Sequence, residues 1–552
     1  MPELQERECD VLIVGSGPIG CGFARTLLDN DYACNNNLHV IMIDIGQQLS
    51  AAPGENLKNS FYYQRNVNNF TPIVQGTMQT ISIAPNSDSL PYPADPSSFQ
   101  PGNLNYCINN INPEQVPEKN MPAAATTYAI GGMATHWTCC IPRTEKGVQR
   151  PPPELGIDNN EWEELYPVAE KLFAKSDDLF DTSLRQRVLF DMLHTTYNDR
   201  CVSMPLAGQP NGELITWSGS DTVLGPLLDK KAPNGINESY NLEILEQHRC
   251  KKLVRESDDD SRISYAVVRD LQKKADWKIK AKFFVVACNP ILTPQLLYNS
   301  NIRPTALGRY LMDQPMTFCQ ILLSTEIVMK IKALRDEDEE EKRSDAQTIH
   351  PHSKTPLIDP VPIPVKDFPP AILLIGTQEK PWHVQIHKDT FSYGMVPQSI
   401  DPRLVLDLRW FGQMEAKASN QVRFDSPRRD LMGMPQPIFE TVLSPVDADM
   451  QHKMMKEMTE VAMQLGGFLP GAEPRCMPLG TSLHFQGTTR YGPKNDDTCV
   501  VNPDSKVWGI DNLFLGGNGL IPNPIALNPT LTSLCLAIKA ARKILSLLDR
   551  EP

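Results

Sequence analysis

The chain has 552 residues, 41% hydrophobic and 22% charged, an ordinary globular mixture that excludes a fibre or a largely disordered polypeptide. Its 53 basic and 66 acidic side chains leave a net charge of −13, and a surface of that sign repels phosphate backbones, which excludes nucleic-acid binding as the main task. The 48 prolines, against a usual share of about 5%, predict long, stiffened connections between modules.

Met1 to Glu8 hold no apolar run of the secretory type, so an intracellular placement is expected. The 13 cysteines are odd in number and scattered singly, which suits reduced, mostly buried thiols. Neither Cys139-Cys140 nor Cys499 has metal-ligand spacing, and no metal is expected.

A short apolar run ending at Val14 leads into Gly15-Ser-Gly17-Pro-Ile-Gly20, and Ile19, Phe23, Ala24, Leu27 and Leu28 then recur at helical spacing. Strand, glycine turn and helix in that order bind a dinucleotide. Gly15 permits the tight turn and Gly17 lets the backbone approach a pyrophosphate. Gly20 lets the helix pack on the strand, leaving the helix N-terminus aimed at the phosphates. A second apolar strand ends in Asp44, 24 residues after Gly20 (44 − 20), near the separation of about 20 at which an acid meets the ribose. The motif alone does not choose between NAD and FAD.

The C-terminal end offers a matching piece. A strand ending at Leu515 runs into Gly516-Gly517-Asn518-Gly519 and a proline-rich loop, then Asn528-Pro529-Thr530. Leu534, Ile538, Ala541, Leu545 and Leu548 mark one face of a terminal helix, with Pro529 in its first turn and Asn528 at or near its cap. A helix starting at a ligand offers free N–H groups and positive partial charge, suited to negative charge on a reduced flavin. Leu513 to Ala537 carries no charge, as a membrane span would, but its glycines and prolines exclude one continuous helix. It reads as a buried loop followed by a helix, and no membrane partner is expected.

Gly131-Gly-Met-Ala-Thr-His136-Trp-Thr138, Leu483-His484-Phe-Gln-Gly487 and Asn528-Pro-Thr530 resemble the glucose–methanol–choline (GMC) oxidoreductase superfamily, and within it the pyranose-oxidising members. The likeness runs nearly end to end. It implies an FAD covalently attached through His136, with Thr138 beside flavin N5. It also implies cofactor contacts from Gly517, Asn518 and Thr530, and an adenine edge at Cys250. His484 is then the base that takes the hydroxyl proton, a task suited to a neutral imidazole of ordinary pKa near 6.5, and Asn528 holds the hydroxyl. Gln385 to Gly394 resembles the family's mobile substrate loop. Gln385, Asp389 and Arg409 would touch the sugar, with Phe391 or Tyr393 as an apolar face and Gly394 as a hinge.

The implied activity oxidises a secondary ring hydroxyl, C2 of glucose or a related pyranose, to a ketosugar while O2 becomes H2O2; a quinone can replace O2. The alternative is a C3-directed or glycoside oxidase, or a quinone-dependent sugar dehydrogenase, of the same family. A flavin-binding protein without catalysis is the reading from another class.

Three departures stand out. Ala134 replaces the family's usual Ser, and Thr488-Thr489-Arg490 lacks an expected histidine, read as a change behind the site. The stretch from Lys332 to Pro370 is short, which puts the tetramer of the relatives in doubt while leaving a homo-oligomer open. Its charge run Arg335 to Arg343 is expected as a solvated loop. The expected fold is α/β: a discontinuous Rossmann-like FAD-binding domain (1–60, 125–160, 230–310 and 470–552), with a substrate-binding domain on a mainly antiparallel sheet (161–229 and 311–469) and an arm over 61–124.

Overall fold

The computed structural model describes residues 5–65, 69–85, 111–229, 240–256, 260–345, 359–388, 396–397 and 399–550. In chain order, β1 (Gln5–Val14), α1 (Pro18–Leu28) and β2 (Val40–Ile43) open the fold, and α2 (Asn159–Leu172), α3 (Leu184–Tyr197) and β3 (Cys201–Ser203) follow. Next come β4 (Leu242–Leu245), β5 (His248–Arg255), β6 (Ile263–Asp270), β7 (Ala275–Val286) and α4 (Leu292–Asn299). The second half holds β8 (Met316–Leu323), α5 (Thr325–Asp345), β9 (Ala371–Leu374), β10 (Trp382–His387), β11 (Val405–Gly412), α6 (Pro445–Leu465), β12 (Leu513–Leu515) and α7 (Thr530–Leu548).

The first sheet has the order β5-β6-β7-β1-β2-β4, with β12 also paired to β7. β1, β2, β4, β7 and β12 run parallel to one another, while β5, β6 and β7 form an antiparallel meander at one edge. Val11 to Val14 and Val40 to Ile43 are buried throughout, as strands covered on both faces require. Gly20 makes the close approach of α1 to β1 possible: a Cβ there would lie 2.0 Å from the Gly15 carbonyl oxygen. α7, almost all apolar on its inner side, packs against α1.

One boundary shifts. Most of α2 and the short helix Ser220–Leu224 fall within 161–229, the range expected in the substrate domain, yet both join the first core. In α2, Trp162, Leu165, Tyr166 and Ala169 lie at i, i+3, i+4 and i+7, an apolar stripe that needs a partner, and α7 supplies it. The Tyr166 hydroxyl meets Thr532 Oγ1 at 3.1 Å across that contact.

The second sheet is antiparallel throughout. From one edge it runs through the strand Gly466–Phe468, then β8, β11, β10, β9 and β3. Every residue of β10 and β11 is buried, but the two faces differ. Trp382, Val384, Ile386, Leu406, Leu408 and Trp410 join the core under α6 and α3. The alternate positions His383, Gln385, His387, Asp407 and Arg409 are polar, and they turn to the opposite face as the period of two demands. That face looks onto the first unit.

The charge run forms the second half of α5 rather than a loop. Lys330–Glu326 and Lys332–Asp336 pairs at i,i+4 spacing support a helix that the bare count of charges conceals. Within the arm, Met78–Thr80 pairs antiparallel with Ala125–Thr127, and Gln115 Nε2 donates to the Phe439 carbonyl at 2.9 Å, tying the segment to both units. No helix among the described residues is long and apolar enough to cross a membrane.

Candidate active site

A cavity extends along the junction of the two units. Gly15, Gly17 and Asp44 line it from the first unit, and Gln385, Arg409 and Phe411 from the second. Asp44 is well fixed: its Oδ2 accepts from the Ser16 amide at 2.8 Å and the Ser16 hydroxyl at 2.7 Å, and its Oδ1 from the Gly46 amide at 2.8 Å. Burial pushes this carboxyl above its usual range. Ser16 Oγ in turn accepts from the Gly131 amide at 3.0 Å, so the glycine turn anchors the loop that carries His136. Cys250 lines the cavity beside Arg249, together with Gln295 and Asp430.

Met133, Ala134, Trp137 and Thr138 of that loop line the cavity, as does Thr127 beneath it. His136 itself is fully buried, with Nε2 at 2.9 Å from Thr127 Oγ1. Burial lowers its pKa to about 4, which keeps the imidazole neutral at ordinary pH. Gly517, Asn518 and Thr530 line the cavity from the C-terminal side. Asn518 Oδ1 accepts from the Ser533 hydroxyl at 2.6 Å.

Asn528 does not cap α7. Pro529 occupies the cap position with no side-chain bond there, and the Asn528 amide instead faces the cavity. Its Nδ2 lies 3.2 Å from His484 Nε2, and its Oδ1 accepts from Gln385 Nε2 at 2.7 Å. Three residues separated by some 140 positions of sequence thus form one bonded group. His484 Nδ1 lies 2.6 Å from Gln314 Oε1. Burial drops the His484 pKa to about 3. Arg409 donates to Asp407 at 2.9 Å, so it is at once a buried ion-pair partner and part of the cavity wall.

Asp389, Phe391, Tyr393 and Gly394 lie outside the described residues. Thr489 is buried behind the cavity lining, its amide donating to the Gly519 carbonyl at 3.0 Å, so the missing family histidine would have stood behind the wall. Sequence reasoning missed several participants. His383 stacks on Phe411 with ring centroids 4.9 Å apart and lies 3.2 Å from Gln385 Nε2. Ser482 lines the cavity, donates to Asp313 Oδ1 and accepts from the His484 amide at 3.1 Å. The alternation Trp382-His-Val-Gln-Ile-His387 held the signal for His383. Nothing local to Asp313-Gln314 marked that pair.

The parallel sheet, the glycine turn and the polar sheet face define an oxidoreductase of the GMC class. Residues 416–537 match the family model described as GMC oxidoreductase. The chain is 38% identical over 583 aligned residues to pyranose 2-oxidase of Emericella nidulans, covering 98% of this chain and 93% of that one. It is 37% identical to pyranose 2-oxidase of Tricholoma matsutake, covering 98% and 94%. A more distant relative is C-glycoside 3-oxidase of Microbacterium trichothecenolyticum, at 29% identity with 97% and 96% covered. Among solved structures, formate oxidase of Aspergillus oryzae superposes with TM-score 0.64 over 98% of this chain and 99% of that one, at 14% identity, a likeness of fold. The chain belongs to the pyranose 2-oxidase family of GMC oxidoreductases.

The cavity fits the FAD that this class uses. A Cβ on Gly17 or on Gly517 would meet nothing within 4 Å, so the backbone at both places opens onto the cleft where a diphosphate and a ring system can approach. The N-terminus of α7 opens onto the same space, bringing positive partial charge.

Proposed function

We propose that this protein oxidises a secondary ring hydroxyl, at C2 of glucose or a related aldopyranose, to the ketosugar, with dioxygen leaving as hydrogen peroxide. The observation that carries the reading is the bonded group of His484, Asn528 and Gln385 on the wall of the dinucleotide cleft. Bound FAD supplies the acceptor for the hydride of the ring C–H. His484 Nε2 takes the hydroxyl proton, and burial keeps that nitrogen unprotonated at every ordinary pH. The Asn528 amide group that bonds Nε2 in the free protein turns to the substrate oxygen when the sugar enters, orienting the carbon for hydride loss. Gln385, whose amide nitrogen is engaged by Asn528, offers its Oε1 to a neighbouring hydroxyl, and Arg409 offers a donor beside it.

Covalent attachment through His136 belongs to the same proposal, supported by its neutral imidazole and by the cavity-lining residues on either side of it. After acid precipitation the yellow colour should stay with the wild-type pellet and should be absent from the pellet of His136→Ala. Asp389 is proposed as a further sugar contact beyond Gln385, and a quinone as a substitute for dioxygen.

The test of the main reading is direct: glucose and a peroxidase-coupled dye with purified holoenzyme, and flavin bleaching under nitrogen. Absence of both with every pyranose tried overturns it. The Microbacterium relative, 29% identical over nearly the whole chain, favours a second reading, oxidation at C3 of a glycoside. Carbon NMR of the product separates the two by the position of the ketone.

A further inference from the structure

The segment before Asn528 has no secondary structure, since Pro522 and Pro524 forbid it, yet it is buried. Its polar backbone therefore needs partners from elsewhere. Three buried glutamines supply them. Gln149 Oε1 accepts from the Ala526 amide at 2.5 Å and the Leu527 amide at 3.1 Å. Gln486 accepts from the Ile525 amide at 3.2 Å and donates to the Ile525 carbonyl at 3.0 Å. Gln314 Nε2 donates to the carbonyls of Ile525 at 2.7 Å and Leu527 at 2.8 Å.

This third glutamine does more than hold the segment. Two carbonyls face its nitrogen, and a carbonyl can only accept, so the Gln314 amide has one permitted orientation. Its Oε1 must then face His484 Nδ1, at 2.6 Å. An amide oxygen only accepts, so Nδ1 carries the proton and Nε2 carries the lone pair. The other side agrees: Asn528 Oδ1 accepts from Gln385, which turns the Asn528 NH2 group towards Nε2.

We propose that Gln314 is the positioning residue that locks His484 in the Nδ1–H tautomer while clamping the loop that carries Asn528, so that one side chain sets both members of the catalytic pair. A carboxylate in its place would repel the two carbonyls. A histidine or a hydroxyl would not reach both functions with a fixed polarity. The inference rests on the proposed role of His484 as base, and deepens it.

Among the described residues, His383 on β10 acts electrostatically on His484, Arg409 on β11 lines the same cavity, and Asp313 lies behind Ser482. The apolar isostere Gln314→Met frees both tautomers. Flavin reduction by glucose then slows by about tenfold or more, while sugar affinity changes by less than about threefold and FAD content stays at one per chain. Gln314→Glu keeps an acceptor at Nδ1 but adds negative charge, which stabilises imidazolium, so the acidic limb of the reduction rate moves up by about one pH unit or more. A merely structural glutamine would change stability and leave that limb where it is.

Nitrogen-15 spectra of histidine-labelled holoenzyme give the tautomer without any turnover. Nδ1 of His484 should be pyrrole-like and Nε2 pyridine-like. The opposite pattern, wild-type reduction by Gln314→Met, or an unmoved acidic limb in Gln314→Glu overturns the proposal. Should Gln314→Met fail to fold, the spectra and the Glu variant still decide. A wild-type protein that no sugar reduces would sink the sugar-oxidase reading, while the spectra would still answer for the tautomer.

Discussion

An imidazole acts as a base only while one nitrogen keeps its lone pair, and desolvation holds His136, His383, His387 and His484 in that state. His484 and His383 have pKa values of about 3 and His136 of about 4, all lowered first by burial. In the unfolded chain each returns to about 6.5, so between pH 6.5 and roughly 3 the unfolded state binds more protons. Stability tied to these groups is therefore fully present above pH 6.5 and lost as the pH falls through that window. His383→Phe, which keeps the stacking on Phe411, should flatten the decline of Tm between pH 6.5 and 4 relative to wild type; parallel curves would contradict it. On activity, His484→Ala should slow flavin reduction by about a hundredfold to ten-thousandfold in stopped flow, with sugar affinity little changed. The flanking motifs marked His484 and Asn528, which the structure brings together on the cavity wall, whereas nothing marked Gln314 beside them. The role proposed for it depends on two carbonyls more than 200 residues away, a relation that no local pattern encodes.

At the scale of elements, the glycine turn was legible to the residue, because strand, turn and helix each impose their own spacing. Gly17 gives a clean test: a side chain there meets open cleft and no protein atom, so Gly17→Val should leave the fold intact. Flavin content after purification should nevertheless drop by about tenfold or more, read from the absorbance ratio, since the new side chain stands where the diphosphate must approach. The loop before Asn528 offers a second test. Gln149 Nε2 donates to Glu145 Oε2 at 2.9 Å, and burial raises that carboxyl to about 7 from 4.5. The stability tied to its neutral form is full below pH 4.5 and gone above about 7. Glu145→Gln should match wild type near pH 5 and exceed it at pH 8.5 by something on the order of 1–3 kcal/mol in denaturant melts. Equal stability at both values would show that the carboxyl is not held neutral. α5 shows where spacing was under-read: its acidic and basic residues fall at i,i+4, and a count of charges alone hid the helix.

For the whole molecule, the flavin cleft draws its walls from both units, so cofactor binding and the junction between units are thermodynamically linked. On the proposed covalent link, His136→Ala makes flavin release reversible, and the Tm of that variant should rise with added FAD. At a concentration one hundred times Kd the gain is about 2.7 kcal/mol. A Tm indifferent to FAD would mean that the cleft closes without its ligand. The two-unit plan was legible from the parallel-type apolar runs and the alternating strands. The allegiance of α2 was not, because its apolar stripe tells only that a partner exists, and α7 lies some 370 residues further on.

β10 and β11 carry two vocabularies on one backbone. Their even-numbered side chains answer to α6 and α3, while the odd-numbered Gln385, Arg409 and Phe411 face whatever the cavity admits. A laboratory wishing to redirect this catalyst to another sugar can therefore randomise positions 385, 409 and 411 together while leaving their even-numbered neighbours untouched.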